Sequence, residues 1–246
     1  MSDSYLSFVN SPWGRRLAQA IGLPQPLPLQ RHRSGQQGLA NPVIVAGAGR
    51  LTAQVQQIFS ATDTVAATAA TLKAPSTVKV QGAVFDATGV VDLQQLDELY
   101  VFFHANAKRL AQHGRVVVLG TAPEHCKDLP QAIAQRALEG LVRSLAKELR
   151  RAITVQLIYV APGAEDALDS SLRFFLSRRS AYVSGQVVRL EKPVDGPVAV
   201  NWDKPFAGRR ALVTGASRGI GLAIAQVLAR DGAQDRKSTR LNSSHH

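Results

Sequence analysis

Short apolar runs separated by longer amphipathic stretches constrain this chain more than any other feature. The runs lie at residues 43–46, 83–87, 115–120, 153–160 and 186–190, with a weaker one at 64–67. Their length and their Val, Ile and Leu content suit strands buried on both faces. Between them, apolar residues recur at helical spacing and predict helices at 52–60, 93–112, 129–151 and 165–176. Strands alternating with helices imply right-handed crossovers and a parallel sheet covered on both sides. Residues 41–192 therefore form a doubly wound α/β domain.

A leader of residues 1–40 precedes it. Ser11-Pro12 starts a short helix that carries Leu17, Ala20 and Ile21 and stops at Gly22. Pro24, Pro26 and Pro28 then impose an extended connector. Residues 193–207, with Pro193, Pro197 and Pro205, make a linker. Residues 208–234 give one further strand and helix, the opening of a second α/β domain. From Asp235 to His246 the only apolar residue is Leu241, so no core strand is expected. This stretch resembles the in-frame translation of a sequencing adapter and is set aside from the fold.

The junction inside residues 208–234 has its own chemistry. Arg210-Ala211-Leu212-Val213 is a short apolar run, and Ile220, Ala223, Ile224, Val227 and Leu228 give the following helix one apolar face. Between them stand Thr214, Gly215, Ala216, Ser217, Arg218, Gly219, Ile220 and Gly221. A strand, a glycine-rich turn and a helix in that order form a pyrophosphate cradle. Gly215 permits the tight turn, while Gly219 and Gly221 allow close approach of backbone and helix. Free amides and the positive end of the helix dipole then face the ligand. Arg218 beside the turn either meets an adenosine 2′-phosphate or is an ordinary solvent-exposed arginine.

Composition narrows the remaining classes. With 45% hydrophobic and 19% charged residues, the chain has the makings of a globular core. No apolar stretch reaches the length of a membrane span, and no secretory signal opens the chain. One cysteine, Cys126, precludes an internal disulfide, fits the cytoplasm and is expected to be inert. The histidines lack metal-ligand spacing, so no metal site is expected, and His104, His113 and His125 are taken as surface or helix-end residues. The net charge of +11 is scattered in arginine pairs without interleaved aromatics, which argues against nucleic acid. A basic surface of this kind either docks an acidic partner or serves solubility.

The residues just described carry a resemblance. The turn at 214–221 resembles the cofactor turn of short-chain dehydrogenase/reductases. Residues 137–149 (ALEGLVRSLAKEL) are similar to the long helix that follows the catalytic Tyr in 3-oxoacyl-ACP reductases. The strand at 153–160 with Ala161-Pro162-Gly163, and Ser184-Gly185-Gln186-Val187-Val188, resemble that family's later strands. A worn first domain ahead of an intact one, with a leader like Asn10-Ser11-Pro12-Trp13-Gly14-Arg15-Arg16-Leu17, resembles the high-molecular-weight 3-oxoacyl-ACP reductases. The resemblance implies a Rossmann- or flavodoxin-like first domain followed by the first strand–helix unit of a second Rossmann domain. It further implies a cytoplasmic homo-oligomer that uses NAD(P)H to reduce 3-oxoacyl-ACP or acyl-CoA substrates in fatty acid biosynthesis.

In that family a Ser holds the carbonyl, a Tyr donates the proton, and a Lys four residues later lowers the Tyr pKa. In the first domain Thr121 falls at the Ser position, Gln131 at the Tyr and Gln135 at the Lys. Neither glutamine can transfer a proton or tune one, so no catalytic residue is assigned. The first domain's own turn, Ala46-Gly47-Ala48-Gly49-Arg50-Leu51, lacks the last two glycines of the second. The family's Asn-Asn-Ala-Gly element stands as Asp86-Ala87-Thr88-Gly89, where Asp86 is either a ribose contact or a surface-loop carboxylate. The cofactor residues expected are thus Thr214, Gly215, Ser217, Arg218, Gly219, Ile220 and Gly221, and the first domain is expected to act as a non-catalytic scaffold or nucleotide-binding module. No Tyr-x-x-x-Lys occurs in the chain. The sequence as it stands is therefore expected to be an inactive fragment.

Overall fold

A computed structural model describes residues 4–33, 38–68, 79–192 and 201–235. The chain divides into two compact units, Met1–Gly196 and Pro197–His246. The linker residues 193–200 and the tail residues 236–246 lie outside the described residues.

The first unit is built on six parallel strands: β1 (Val43–Ala46), β2 (Ala66–Thr68), β3 (Val80–Asp86), β4 (Leu110–Gly120), β5 (Thr154–Val160) and β6 (Gln186–Leu190). Their order is β2-β1-β3-β4-β5-β6. The chain moves one way from β1 to β2 and the other way from β3 onward. The sheet is therefore doubly wound, with a flavodoxin-type switch point between β1 and β3. The expected α/β class is borne out.

Strand residues alternate between two cores. Phe85, Val116, Val118 and Tyr159 pack with Leu99, Phe102, Phe103, Leu138 and Val142 of helices α4 (Leu96–Asn106) and α5 (Leu129–Glu148). Val84, Val117, Leu119 and Ile158 pack on the opposite face with Val55, Ile58, Phe59, Leu168 and Leu172 of α3 (Thr52–Ser60) and α6 (Leu168–Leu176). Three layers result, and every residue of β5 is buried. The leader folds as two helices, α1 (Ser4–Asn10) and α2 (Pro12–Ala20); Ser11 caps α2 by accepting from the Gly14 amide at 3.0 Å. The first of these helices was not foreseen.

Other boundaries also depart from the sequence reading. The stretch 93–112 is not one helix: α4 ends at Asn106, a 3-10 turn covers Ala107–Arg109, and Leu110 already pairs with Val80 in the sheet. No glycine or proline marks that change, and the buried Leu110 fits a strand as well as a helix face. Helix α5 stops at Glu148 because Arg151 and Ala152 turn to φ 64° and 56°. In the second unit, strand β7 covers only Arg210–Ala211, and Leu212 is 87% exposed. It pairs with β8 (Gln234–Asp235), so Asp235, expected outside the fold, joins a two-residue ladder. Helix α7 (Gly219–Arg230) buries none of its residues, and Ile220 is 81% exposed. The described elements of this unit, two two-residue strands and one helix, are too few to bury an apolar helix face among themselves.

Candidate functional site

Ligands of doubly wound sheets bind at the carboxyl ends of the strands, at the switch point. Here that crevice lies between residues 46–51, after β1, and 86–89, at the end of β3. The structure fills it with the chain's own groups. Asp86 is 1% exposed, not the surface carboxylate or ribose contact considered above. Its Oδ2 accepts from the Leu51 amide at 2.9 Å and the Thr52 hydroxyl at 3.0 Å. Its Oδ1 accepts from the Thr88 amide at 3.1 Å and the Thr88 hydroxyl at 2.6 Å. The Thr88 hydroxyl oxygen in turn accepts from the Arg50 amide at 2.9 Å. Asp86 thus stands where a phosphate would stand, at the positive end of α3.

Backbone segments approach closely at the same crevice. A Cβ on Gly89 would collide with the Ala48 carbonyl oxygen, and one on Gly47 with that of Asp86. The Arg50 side chain leaves the turn to bind the Val160 carbonyl and pair with Glu165, tying β1 to the end of β5. A dinucleotide pyrophosphate fits these residues poorly: Asp86 already holds the Leu51 and Thr88 amides, and the space beside Ala48, Asp86 and Gly89 is a pocket of about 150 Å³.

The degenerate catalytic positions lie beside this crevice, and only two of them meet. Gln135, fully buried, donates from Nε2 to the carbonyls of Ala87 (2.7 Å) and Val90 (2.9 Å), while its Oε1 accepts from the Thr121 amide at 2.9 Å. One amide therefore joins α5 to the loops after β3 and β4. Gln131 faces elsewhere, its Oε1 accepting from the Lys127 amide at 2.9 Å. Sequence reasoning missed Tyr159, whose buried hydroxyl donates to the Gln135 carbonyl at 2.7 Å. Burial, chiefly, and then the charge of Glu139 push its phenol well above the ordinary value, so it holds its proton as a structural donor. Cys126 at the rim has its thiol pushed up by burial and by the charges of Asp128 and Glu124, consistent with an inert side chain.

The second turn presents the opposite picture. Gly215 and Gly219 both adopt φ +65°, where a side chain is strained. Gly219 has open space around its Cβ position, so backbone conformation rather than close approach calls for glycine there. Gly221 supplies the close approach, since a Cβ would collide with the Gly215 carbonyl oxygen. Arg218 is the cap residue of α7, and its side chain makes no cap hydrogen bond among the described residues. Thr214, Ser217, Arg218 and Ile220 are all exposed. The residues here fit a pyrophosphate, which would lie on uncapped amides.

No family model matches the chain, and no curated protein matches it. Solved structures resemble it at low identity. An enoyl-acyl-carrier-protein reductase of Plasmodium berghei, with triclosan, is 21% identical over 50% of this chain, with a TM-score of 0.39; this chain spans 61% of that protein's length. A short-chain dehydrogenase/reductase from Serratia marcescens is 17% identical over 61% of this chain and 95% of its own, with a TM-score of 0.47. The NADH-dependent enoyl-acyl-carrier-protein reductase of Aquifex aeolicus is 14% identical over 62% and 96%, also with a TM-score of 0.47. The fold assigned above rests on this chain's own strand order.

Proposed function

We propose that the chain is part of an NAD(P)H-dependent reductase in which the first unit is a non-catalytic scaffold and residues 214–221 begin the cofactor site. In this reading the parent protein reduces 3-oxoacyl thioesters, carried by ACP or CoA, to (R)-3-hydroxyacyl products. It acts in the cytoplasm, as a homo-oligomer, in fatty acid biosynthesis. The observation that carries the division of labour is the Asp86 carboxylate seated on the amides of the first phosphate position. A unit that plugs its own cradle cannot present a nicotinamide for hydride transfer. Its catalytic positions point the same way, since the Gln135 amide is spent on three loop contacts.

When bound, the cofactor supplies the hydride. What these residues would supply is positioning: the turn at Gly215, Gly219 and Gly221 would receive the pyrophosphate, and Arg218 beside it would meet a 2′-phosphate were the cofactor NADPH. The proton donor and its tuning lysine are not among the residues of this chain. Purified protein incubated with acetoacetyl-CoA and NADPH or NADH is expected to show no oxidation above background. Turnover would overturn the scaffold reading of the first unit. Absence of turnover together with regained activity in a longer chain carrying Tyr-x-x-x-Lys after residue 234 would support the family reading.

A further inference from the structure

The end of the sheet opposite the plugged crevice holds a cavity of about 280 Å³ with an unusual lining. Arg115, Arg178 and His113 reach it, together with the amide side chains of Gln81, Gln112 and Asn41, and no carboxylate is among the lining residues. It sits at the amino-terminal ends of β1, β3 and β4. We propose that this cavity binds a compact oxyanion, a phosphate- or carboxylate-bearing small molecule held by Arg115, Arg178 and His113.

Arg115 is the first argument. It is 4% exposed, yet its described partners are all uncharged: Nε donates to the Ser177 carbonyl at 3.1 Å, and Nη1 reaches the Gly114 carbonyl and the Thr154 hydroxyl at 3.4 and 3.5 Å. Its Nη2 makes no hydrogen bond among the described residues. Buried charges are ordinarily paired, as one other in this unit is. Glu139, 5% exposed, faces Arg136, Arg143 and Arg189. A guanidinium that lines a cavity with one nitrogen unbonded is suited to an oxyanion.

The backbone supplies the second argument. Val80 pairs with Leu110 and Gly82 with Arg115, so residues 111–114 bulge out opposite Gln81 alone. His113 within the bulge has φ +61°, and its amide is held by the Arg151 carbonyl at 2.9 Å. Bulges re-aim side chains, and strained backbone gathers at ligand sites. Here the bulge brings Gln112 and His113 to the cavity wall. Electrostatics agrees: burial and then Arg178 lower the Arg115 pKa, and burial, Arg115 and Arg178 lower that of His113. Three basic groups line one space, and an anion there would offset the charges that lower Arg115 and His113.

The test is titration calorimetry of the full chain with inorganic pyrophosphate and, separately, with citrate at neutral pH. Saturable binding of at least one is expected, and the tighter of the two assigns phosphate or carboxylate as the ligand class. Arg115→Lys, which keeps the charge and loses the fork, should weaken binding roughly tenfold, as the loss of one charge-assisted hydrogen bond does. Arg178→Ala, at an exposed side chain on a 3-10 turn, should weaken it comparably and carries the test should the Arg115 variant not fold. Arg16→Ala removes the same charge from α2 and should change nothing. The proposal is overturned if neither anion saturates, or if all three variants bind like the parent.

Discussion

At the end of β1 the chain enters a helix through residues 46–51, and at the end of β7 through residues 214–221. Both turns carry glycines and both precede a helix of similar length. In the first, the helix amide of Leu51 and the amide of Thr88 converge on one carboxylate, and Asp86 is that carboxylate. In the second, the Arg218 side chain makes no cap hydrogen bond, and no carboxylate is seen on the turn among the described residues. Glycines shape a phosphate-sized turn, but whether the turn can bind depends on what already occupies its donors. Replacing an external anion with an internal one converts a ligand site into a fastening.

That contrast is most vulnerable at Asp86. Asp86→Ala should strand two buried backbone amides, destabilising the first unit by about 4 kcal/mol and lowering its urea midpoint accordingly. NADH fluorescence titration of the same variant should show no new binding, because the Arg50 strap and the Gly89–Ala48 contact persist. New NADH binding would mean that the carboxylate alone separates scaffold from cofactor domain. Next in size is Gln135→Leu, which orphans the Thr121 amide and two carbonyls at once. It should cost about 3 kcal/mol, or roughly 10 °C in melting temperature for a unit of this size. A near-neutral result would show that water or a neighbour replaces the amide.

A glycine-to-alanine substitution at each site separates them directly. Gly89→Ala drives a Cβ into the Ala48 carbonyl across the crevice and should lower the melting temperature of the first unit by several degrees, the effect of about 2 kcal/mol. Gly221→Ala meets the Gly215 carbonyl just as closely. Since α7 buries no residue, the main transition should stay where it is while the amide chemical shifts of residues 214–221 move. A shared melting shift would contradict the exposed state of α7.

Much of the first unit was legible because its punctuation is local. Strands β1 and β6 and helix α3 begin and end where the apolar runs, Gly47-Ala48-Gly49 and Ser184-Gly185 put them. The 3-10 turn after α4 was not legible, since residues 93–112 contain no breaker and Leu110 satisfies either periodicity. At the site, a glutamine at position 135, where the resemblance puts a lysine, could be read, and the expectation of a non-catalytic first unit came from it. What Gln135 does instead could not, because its partners at Ala87, Val90 and Thr121 come from two other loops. Arg50 reaches Glu165 across more than a hundred residues of sequence, a pairing no local pattern encodes. Asp86 offered one local signal: an Asp two residues before Thr88 at a strand end invites an Asx turn, and the Thr88 amide does bond its carboxylate.

The smallest expected effect concerns the other end of the sheet. Burial and the neighbouring Arg115 and Arg178 hold His113 below its ordinary pKa near 6.5. Protonation is therefore easier in the unfolded chain than in the folded one, and proton uptake favours unfolding. This site's contribution to stability is complete above pH 6.5, declines as the pH falls through that value, and levels off below the folded-state pKa. His113→Asn tolerates the left-handed backbone at this position and removes the titration. Urea midpoints measured across that window should fall less steeply in the variant than in the parent. Saturating pyrophosphate or citrate should flatten the parent's slope as well, since an anion in the cavity offsets the two arginines and makes the imidazolium tolerable. If the slopes of parent and variant coincide, the cavity's positive field does not reach His113, and the oxyanion rests on Arg115 and Arg178 alone.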